Sequence, residues 1–207
     1  MAMAQRIEPV LHPVKLAHLR PTQMTVGMAE VARKRHGWRE RAIEREGEWL
    51  GRHMIPAVIG PKGEFWMIDH HHLARALLDE GVEHVLISVQ AQLDHLSREQ
   101  FLTFMDNRNW LHPYDEHGQR CSHKELPRRL DKLRDDRWRS LAGEVRRMGG
   151  FAKSATPYAE FLWADFLRSR VSPKLLDKRP ERARAKALDA ARSKDAAYLP
   201  GWAGFDD

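Results

Sequence analysis

The sequence is poor in the residues that staple a chain or carry it through a membrane. Its 207 residues contain one cysteine, Cys121, which excludes an intrachain disulfide. No CxxC or Cys/His spacing exists through which that thiol could join a zinc site. A reducing, cytoplasmic setting is therefore the expectation. No stretch reaches the roughly 18 apolar residues of a membrane-spanning helix. The opening MAMAQRIEPVLHPV has neither the basic start nor the continuous apolar centre of a secretory leader. Internal repeats and low-complexity linkers are also missing, so solenoids and tethered modules are not indicated.

What is present reads as a globular chain with charge on exposed helices: 42% hydrophobic residues, 31% charged residues and a mean hydropathy of −0.63. Lysine plus arginine exceed aspartate plus glutamate by 35 − 29 = 6, with a sequence pI near 9.7. That balance suits polyanionic partners, nucleic acid or a nucleotide, and gives no sign of a membrane partner. Much of the excess lies in Arg128, Arg129, Lys132, Arg134, Arg137, Arg139, Arg146 and Arg147, and again between Lys178 and Arg184. Asp131, Asp135, Asp136, Glu144 and Glu181 are interleaved there, so a solvated helix surface is the plainer reading. A mass of 24.1 kDa suits one substantial core with an extension.

The pattern along the chain predicts an α+β fold. Residues 13–16 alternate as a short strand before the turn at Pro21-Thr22, and a first helix is expected over about 28–35. The glycines at 37, 47 and 51 suggest a second short helix and a loop. Ile55–Ile59 and Phe65–Ile68 are apolar runs around the turn Gly60-Pro61-Lys62-Gly63, the signature of a hairpin. From His70 the spacing becomes Leu73, Ala74, Ala76, Leu77 with Gly81 beyond, a helix of about three turns with Asp69 where an N-cap belongs. Val82 to Gln92, which contains Val85-Leu86-Ile87 and Val89, reads as a strand returning to a small mixed sheet.

Beyond residue 93 strands are no longer expected. Ser97 with Gln100 forms a capping box for a helix expected to bury Phe101, Leu102, Phe104 and Met105. Further helices are predicted near 126–133 and 138–148, and another opens at Thr156-Pro157 and carries Phe161, Trp163 and Phe166. Trp138, Tyr158 and Trp163 at helical spacing are the expected core. The division is thus residues 1–172 as one domain, strand-rich over 11–93 and helical over 97–172, followed by a basic helical tail, 173–207. That tail is free to fray, swap into a homo-oligomer or bind a partner.

Chemistry concentrates at Asp69-His70-His71-His72. Histidine is a middling helix former, and a run of three is not needed for capping. Residues in a first helical turn point about 100° apart, so at most two of these rings plus Asp69 can converge. The N–H groups and the positive dipole end favour a phosphate there and keep nearby imidazoles neutral. Asp69 is expected either to cap the helix or to hold a divalent cation and orient a water. Lys62 and Glu64 sit on the neighbouring hairpin turn, and His112, Asp115 and His117 form a second, looser group of ligand-type residues.

The stretch Ile68-Asp69-His70-His71-His72-Leu73-Ala74-Arg75-Ala76, placed between a hairpin and a returning strand, resembles the D-G-H-H-R-x-x-A box of the ParB/sulfiredoxin superfamily. Asp69, His71, His72 and Ala76 match it. Val14 to Gln23 with its Leu19-Arg20-Pro21 turn, then Thr25-Val26-Gly27, and the late Phe161 to Phe166 resemble the branch named for ParB-like nucleases. The resemblance runs over about 11–170 and implies a fold that handles nucleotides or nucleic acid. Two departures weaken a nucleotide cradle: the box glycine is His70, and the box arginine, a phosphate clamp, is Leu73. His71 stands where sulfiredoxins carry their cysteine, which argues against that reductase reaction.

The leading expectation is a metal-dependent phosphodiesterase or nuclease. Asp69, His71 and His72 are its catalytic candidates, Asp69 and His71 also its ligands for Mg²⁺, Mn²⁺ or Zn²⁺, and His70, Arg75 and Lys62 its phosphate contacts. A nucleotide-dependent phosphotransferase or switch, and a DNA- or protein-binding module without catalysis, are the alternatives.

Overall fold

The computed structural model describes the backbone of residues 11–204 and the side chains of 13–40 and 50–204. Residues 1–10 of the expected domain and 205–207 of the expected tail lie outside the described residues. The chain divides into two compact units that interleave in sequence: one takes the residues up to Met24, Ala32–Pro113 and Ser122–Leu133, the other Thr25–Val31, Tyr114–Cys121 and Arg134 onward. A single core with a tail after residue 172 is therefore not what forms.

The first unit carries a five-stranded mixed sheet, the α+β architecture expected. In chain order its strands are β1 (Leu11–Lys15), β2 (Leu19–Pro21), β4 (Ile55–Ile59), β5 (Phe65–Met67) and β6 (His84–Gln92); β3 (Thr25–Val26) belongs to the second unit. The spatial order is β1-β6-β4-β5-β2. The hairpin β4–β5 is antiparallel, with Val58 opposite Trp66, and β6 returns parallel to β4. Strand β2 adds in parallel to β5, with Pro21 opposite Met67. Central β4 is apolar because both its edges are paired: Ile55, Ala57 and Val58 are fully buried.

Between β5 and β6 runs helix α2 (His71–Asp79), which buries His71, Leu73, Ala74, Ala76 and Leu77. Each leucine so buried is worth about 1.5–3 kcal/mol of transfer free energy. Gly81, at φ 77°, ends it where a left-handed residue is needed. Helix α3 (Arg98–Asn107) starts with the predicted capping box of Ser97 and Gln100.

Helix α1 (Met28–Arg52) is one continuous helix of 25 residues, where two short elements were expected. Gly37 and Gly51 meet nothing within 4 Å. A glycine costs a helix about 1 kcal/mol without breaking it, and the flanking charged residues keep the register, as His36 with Glu40 at 3.2 Å.

In the second unit β3 pairs with β7 (Arg134–Asp135), a short parallel pair beyond the last strand expected. The predicted helix over 126–133 is reduced to a single 3-10 turn at Leu130–Lys132, within the first unit. Helices α4 (Arg137–Arg147), α5 (Ala159–Arg170), α6 (Pro173–Lys178) and α7 (Pro180–Arg192) follow. Asp136, itself buried, caps α4 through the Trp138 and Arg139 N–H groups, and its other oxygen meets Arg168 at 2.7 Å. Helix α5 opens at Tyr158, in left-handed conformation, and not at Thr156-Pro157.

Phe151 stacks on Trp163 at 4.0 Å, and both belong to a core that also holds Trp138, Leu141 and Phe166. The expectation that Trp138 and Trp163 are core aromatics holds. Ala183, Ala187 and Ala191 of α7 are fully buried in the same core. Residues 173–204 are thus integral to this unit, because alanines four apart let α7 approach closely. Among the described residues no helix is long and apolar enough to cross a membrane.

Candidate functional site

The sheet brings the exit of β2 beside the end of β5, so Thr22 stands next to the turn that launches α2. Thr22 Oγ1 donates to the Met67 carbonyl at 2.8 Å. The Thr22 N–H donates to Nε2 of His71 at 3.1 Å, and its hydroxyl lies 3.3 Å from the same atom. A ring nitrogen that accepts a backbone N–H bears no proton, so the neutral His71 ring carries its hydrogen on Nδ1. At 2% exposure, His71 latches the start of α2 to the end of β2.

One turn further, Arg75 makes a second latch. Its guanidinium donates to the carbonyls of Leu130 and Leu133 at 3.3 and 3.2 Å and to Asp79 at 2.9 Å. These bonds fix the 3-10 turn at Leu130–Lys132 against α2 and leave little of the fork for a phosphate.

His70 precedes α2 at φ 65°, ψ 25°, left-handed, and supplies no side-chain cap to the helix. This is the backbone region that glycine favours, so the residue at the box glycine position has kept the conformation of a glycine. The ring is partly buried, with Nδ1 enclosed and without a hydrogen-bond partner among the described residues. Desolvation pushes its pKa below the ordinary value; the Asp69 carboxylate and the Met54 main chain favour the charged ring, while Lys34 and His53 oppose it. A neutral imidazole at neutral pH is the result.

Asp69 is exposed. Its Oδ1 accepts the His70 N–H at 2.6 Å, so it closes the turn before the helix and does not take the expected N-cap position. His72 is half-buried, about 100° around the helix from His71. Lys62 is exposed at φ 64° on the hairpin turn, at the other end of β5 from Asp69, about 10 Å of strand away.

The structure thus groups Asp69, His70 and His72 around the opening turn of α2, turns His71 and Arg75 inward as structural anchors, and sets Lys62 apart. Of the second group, His112 belongs to the first unit, where its N–H donates to the Thr22 carbonyl at 2.8 Å. Asp115 and His117 belong to the second unit. Partial burial works against ionisation of Asp115, but the Gln119 and His117 N–H groups hold its carboxyl below the usual range.

These residues do not fit a resident metal ion. The two candidate ligands are His71, whose Nε2 is taken by Thr22 and whose Nδ1 carries the proton, and Asp69, with one oxygen taken by His70. Among the described residues no group of three or more His, Cys, Asp or Glu is placed to hold one. Sequence reasoning missed Thr22, and also Lys34, His53 and Met54 around His70. No local pattern marks them, because they reach the turn through sheet pairing and the length of α1.

The strand–hairpin–helix–strand core with its D-x-H-H turn defines a ParB-like domain. Residues 12–169 match the family described as "Putative ParB-like nuclease", and the chain belongs to that family. Among solved structures, the crystal structure of protein Atu1540 from Agrobacterium tumefaciens is 44% identical, with a TM-score of 0.89 over 96% of this chain and 100% of that one. The C-terminally truncated chromosome-partitioning protein ParB from Caulobacter crescentus, complexed with CTP-gamma-S, is 11% identical, with a TM-score of 0.32 over 87% of this chain and 96% of that one. That second likeness is too distant to bear on any residue. No curated protein matches the chain.

Proposed function

We propose that this chain binds the phosphate of a nucleotide at the opening turn of α2, and that binding, not metal-assisted cleavage, is the primary work of the site. The observation that supports this most is the left-handed His70 ahead of a helix with no side-chain cap. The positive end of the α2 dipole then favours an anion there, beside the partly buried and neutral His70 imidazole. Asp69, exposed at the edge, is placed to accept a hydrogen bond from a sugar or base. The assignment of the chain to its family supports a nucleotide or nucleic-acid ligand.

The test is calorimetric titration of the four ribonucleoside triphosphates and of inorganic phosphate into wild type and His72→Glu. An acid in a first turn favours the helix dipole by about 0.3–1 kcal/mol, so the variant is expected to stay folded while repelling phosphate. Saturable binding weakened at least tenfold by His72→Glu is the expected result. No binding at millimolar nucleotide, or equal binding by both proteins, overturns the proposal. Cleavage of labelled DNA by wild type and not by His72→Glu would place a hydrolytic reaction at the same turn.

A further inference from the structure

Helices α6 and α7 carry exposed cations for which the described residues supply no acid partner. Lys174, Lys178, Arg179, Arg182 and Lys186 are all exposed. Among the described residues their side chains form none of the ion pairs that occupy their neighbours. Arg137 is spent on Asp177 at 2.6 Å, and Arg184 on Glu144 at 2.7 Å and on Glu181. Two of the three acids in this segment are therefore neutralised by other partners, and Asp189 alone is set against the five cations.

On each helix two of the cations share one face. Lys174 and Lys178 are four apart on α6, Arg182 and Lys186 four apart on α7, and four residues of helix advance about 6 Å. The opposite side of α7 is occupied by the buried Ala183, Ala187 and Ala191, which fixes Arg182 and Lys186 outward.

We infer that this face docks the phosphate backbone of double-stranded nucleic acid, independently of the α2 turn. The charge asks for a polyanion, and the composition of the segment chooses among polyanions. No aromatic residue occurs between Pro173 and Arg192, whereas single strands are held by stacking bases on aromatic rings. The exposed side of α7 offers only alanine and Pro180 besides charge, and an interfacial helix needs large apolar residues to enter a lipid surface. Backbone contact without base contact makes the binding independent of sequence.

Four to five phosphate contacts give log K against log salt a slope of about −3.6 to −4.5 on a duplex, at about 0.9 per phosphate. The test is fluorescence anisotropy of a labelled 20-base-pair duplex and of its single strand at 50–200 mM NaCl. It compares wild type with Lys178→Gln/Arg182→Gln/Lys186→Gln and with a control that loses the same charge from exposed lysines elsewhere, Lys15→Gln/Lys124→Gln/Lys132→Gln. All six positions are surface-exposed, so folding is not at stake.

Expected are tighter binding to the duplex than to the strand, a slope shallower by about 2.7 in the α6–α7 variant, and a loss of affinity of at least tenfold there against less than twofold in the control. Equal losses in both variants, an unchanged slope, preference for the single strand, or no duplex binding at 50 mM NaCl would each overturn the inference. None of these substitutions alters the α2 turn, so the nucleotide titration stands or falls separately.

Discussion

Replacing His70 by glycine and by alanine separates the backbone of the α2 turn from its side chain. At φ 65° a residue with a Cβ pays about 1–2 kcal/mol that glycine does not. The imidazole adds a buried Nδ1 without a partner among the described residues, a burden of about 1–3 kcal/mol, part of which is offset by the ring carbons it buries. Both variants remove the ring, so their difference isolates the backbone: His70→Gly is expected to exceed His70→Ala by about 1 kcal/mol. Inside a regular helix the order reverses, with alanine ahead by about 1 kcal/mol, so the sign alone distinguishes a left-handed residue from a helical one. Thermal unfolding followed by circular dichroism reads the difference, which for a chain of this size amounts to about 2–4 °C. Alanine equal to or more stable than glycine would refute the left-handed turn and with it the presentation of the first-turn N–H groups.

Two further expectations concern the anchors around that turn. Arg75→Ala, and Arg75→Lys nearly as much, should lower stability by about 1–3 kcal/mol in urea titrations, since two carbonyls lose their donor; a nucleotide affinity that falls while stability is untouched would return Arg75 to the phosphate. Arg39 and Arg35, donating to Glu80 at 2.5–2.7 Å, hold its carboxyl down to about 2. A depressed carboxyl contributes stability above its unfolded value and loses it as pH falls through the folded one. Wild type should therefore exceed Glu80→Gln by about 1 kcal/mol at pH 7 and converge with it between about pH 4.5 and 2; a gap independent of pH would contradict the ion-pair account.

The sheet of the first unit was legible because its signals are local. The Gly60-Pro61-Lys62-Gly63 turn between two apolar runs, the change of period at Leu73 and the capping box at Ser97 each fix an element by its own sequence. What escaped is set by tertiary context. Helix α1 runs through glycines that punctuate it on paper, because packing and ion pairs override a cost of about 1 kcal/mol at each. The tail looked detachable because its apolar face is only alanine, yet small residues at 183, 187 and 191 are what close approach to a neighbouring helix demands. The interleaved division of the chain has no local mark at all, since it depends on which segments pair across more than a hundred residues.

At the site, the sequence marks the turn but not the direction of its side chains. Three successive histidines share one chemistry on paper and take three different environments in the fold. His71 faces the sheet because the first buried position of α2 lies there, and the Thr22 N–H, left over where β2 leaves the sheet, supplies a donor that only an unprotonated ring nitrogen can accept. That bond is what turns the best-placed metal-ligand candidate into an anchor. His70 is displaced to the left-handed position that the turn geometry imposes, whatever residue stands there. Asp69 remains exposed and His72 half-buried, and the chemistry left to the turn is that of main-chain donors, one carboxylate, the neutral His70 imidazole and the His72 ring. Such a set suits the proposed recognition of an anion, whereas a hydrolytic metal centre would need carboxylates that this fold does not bring together among the described residues.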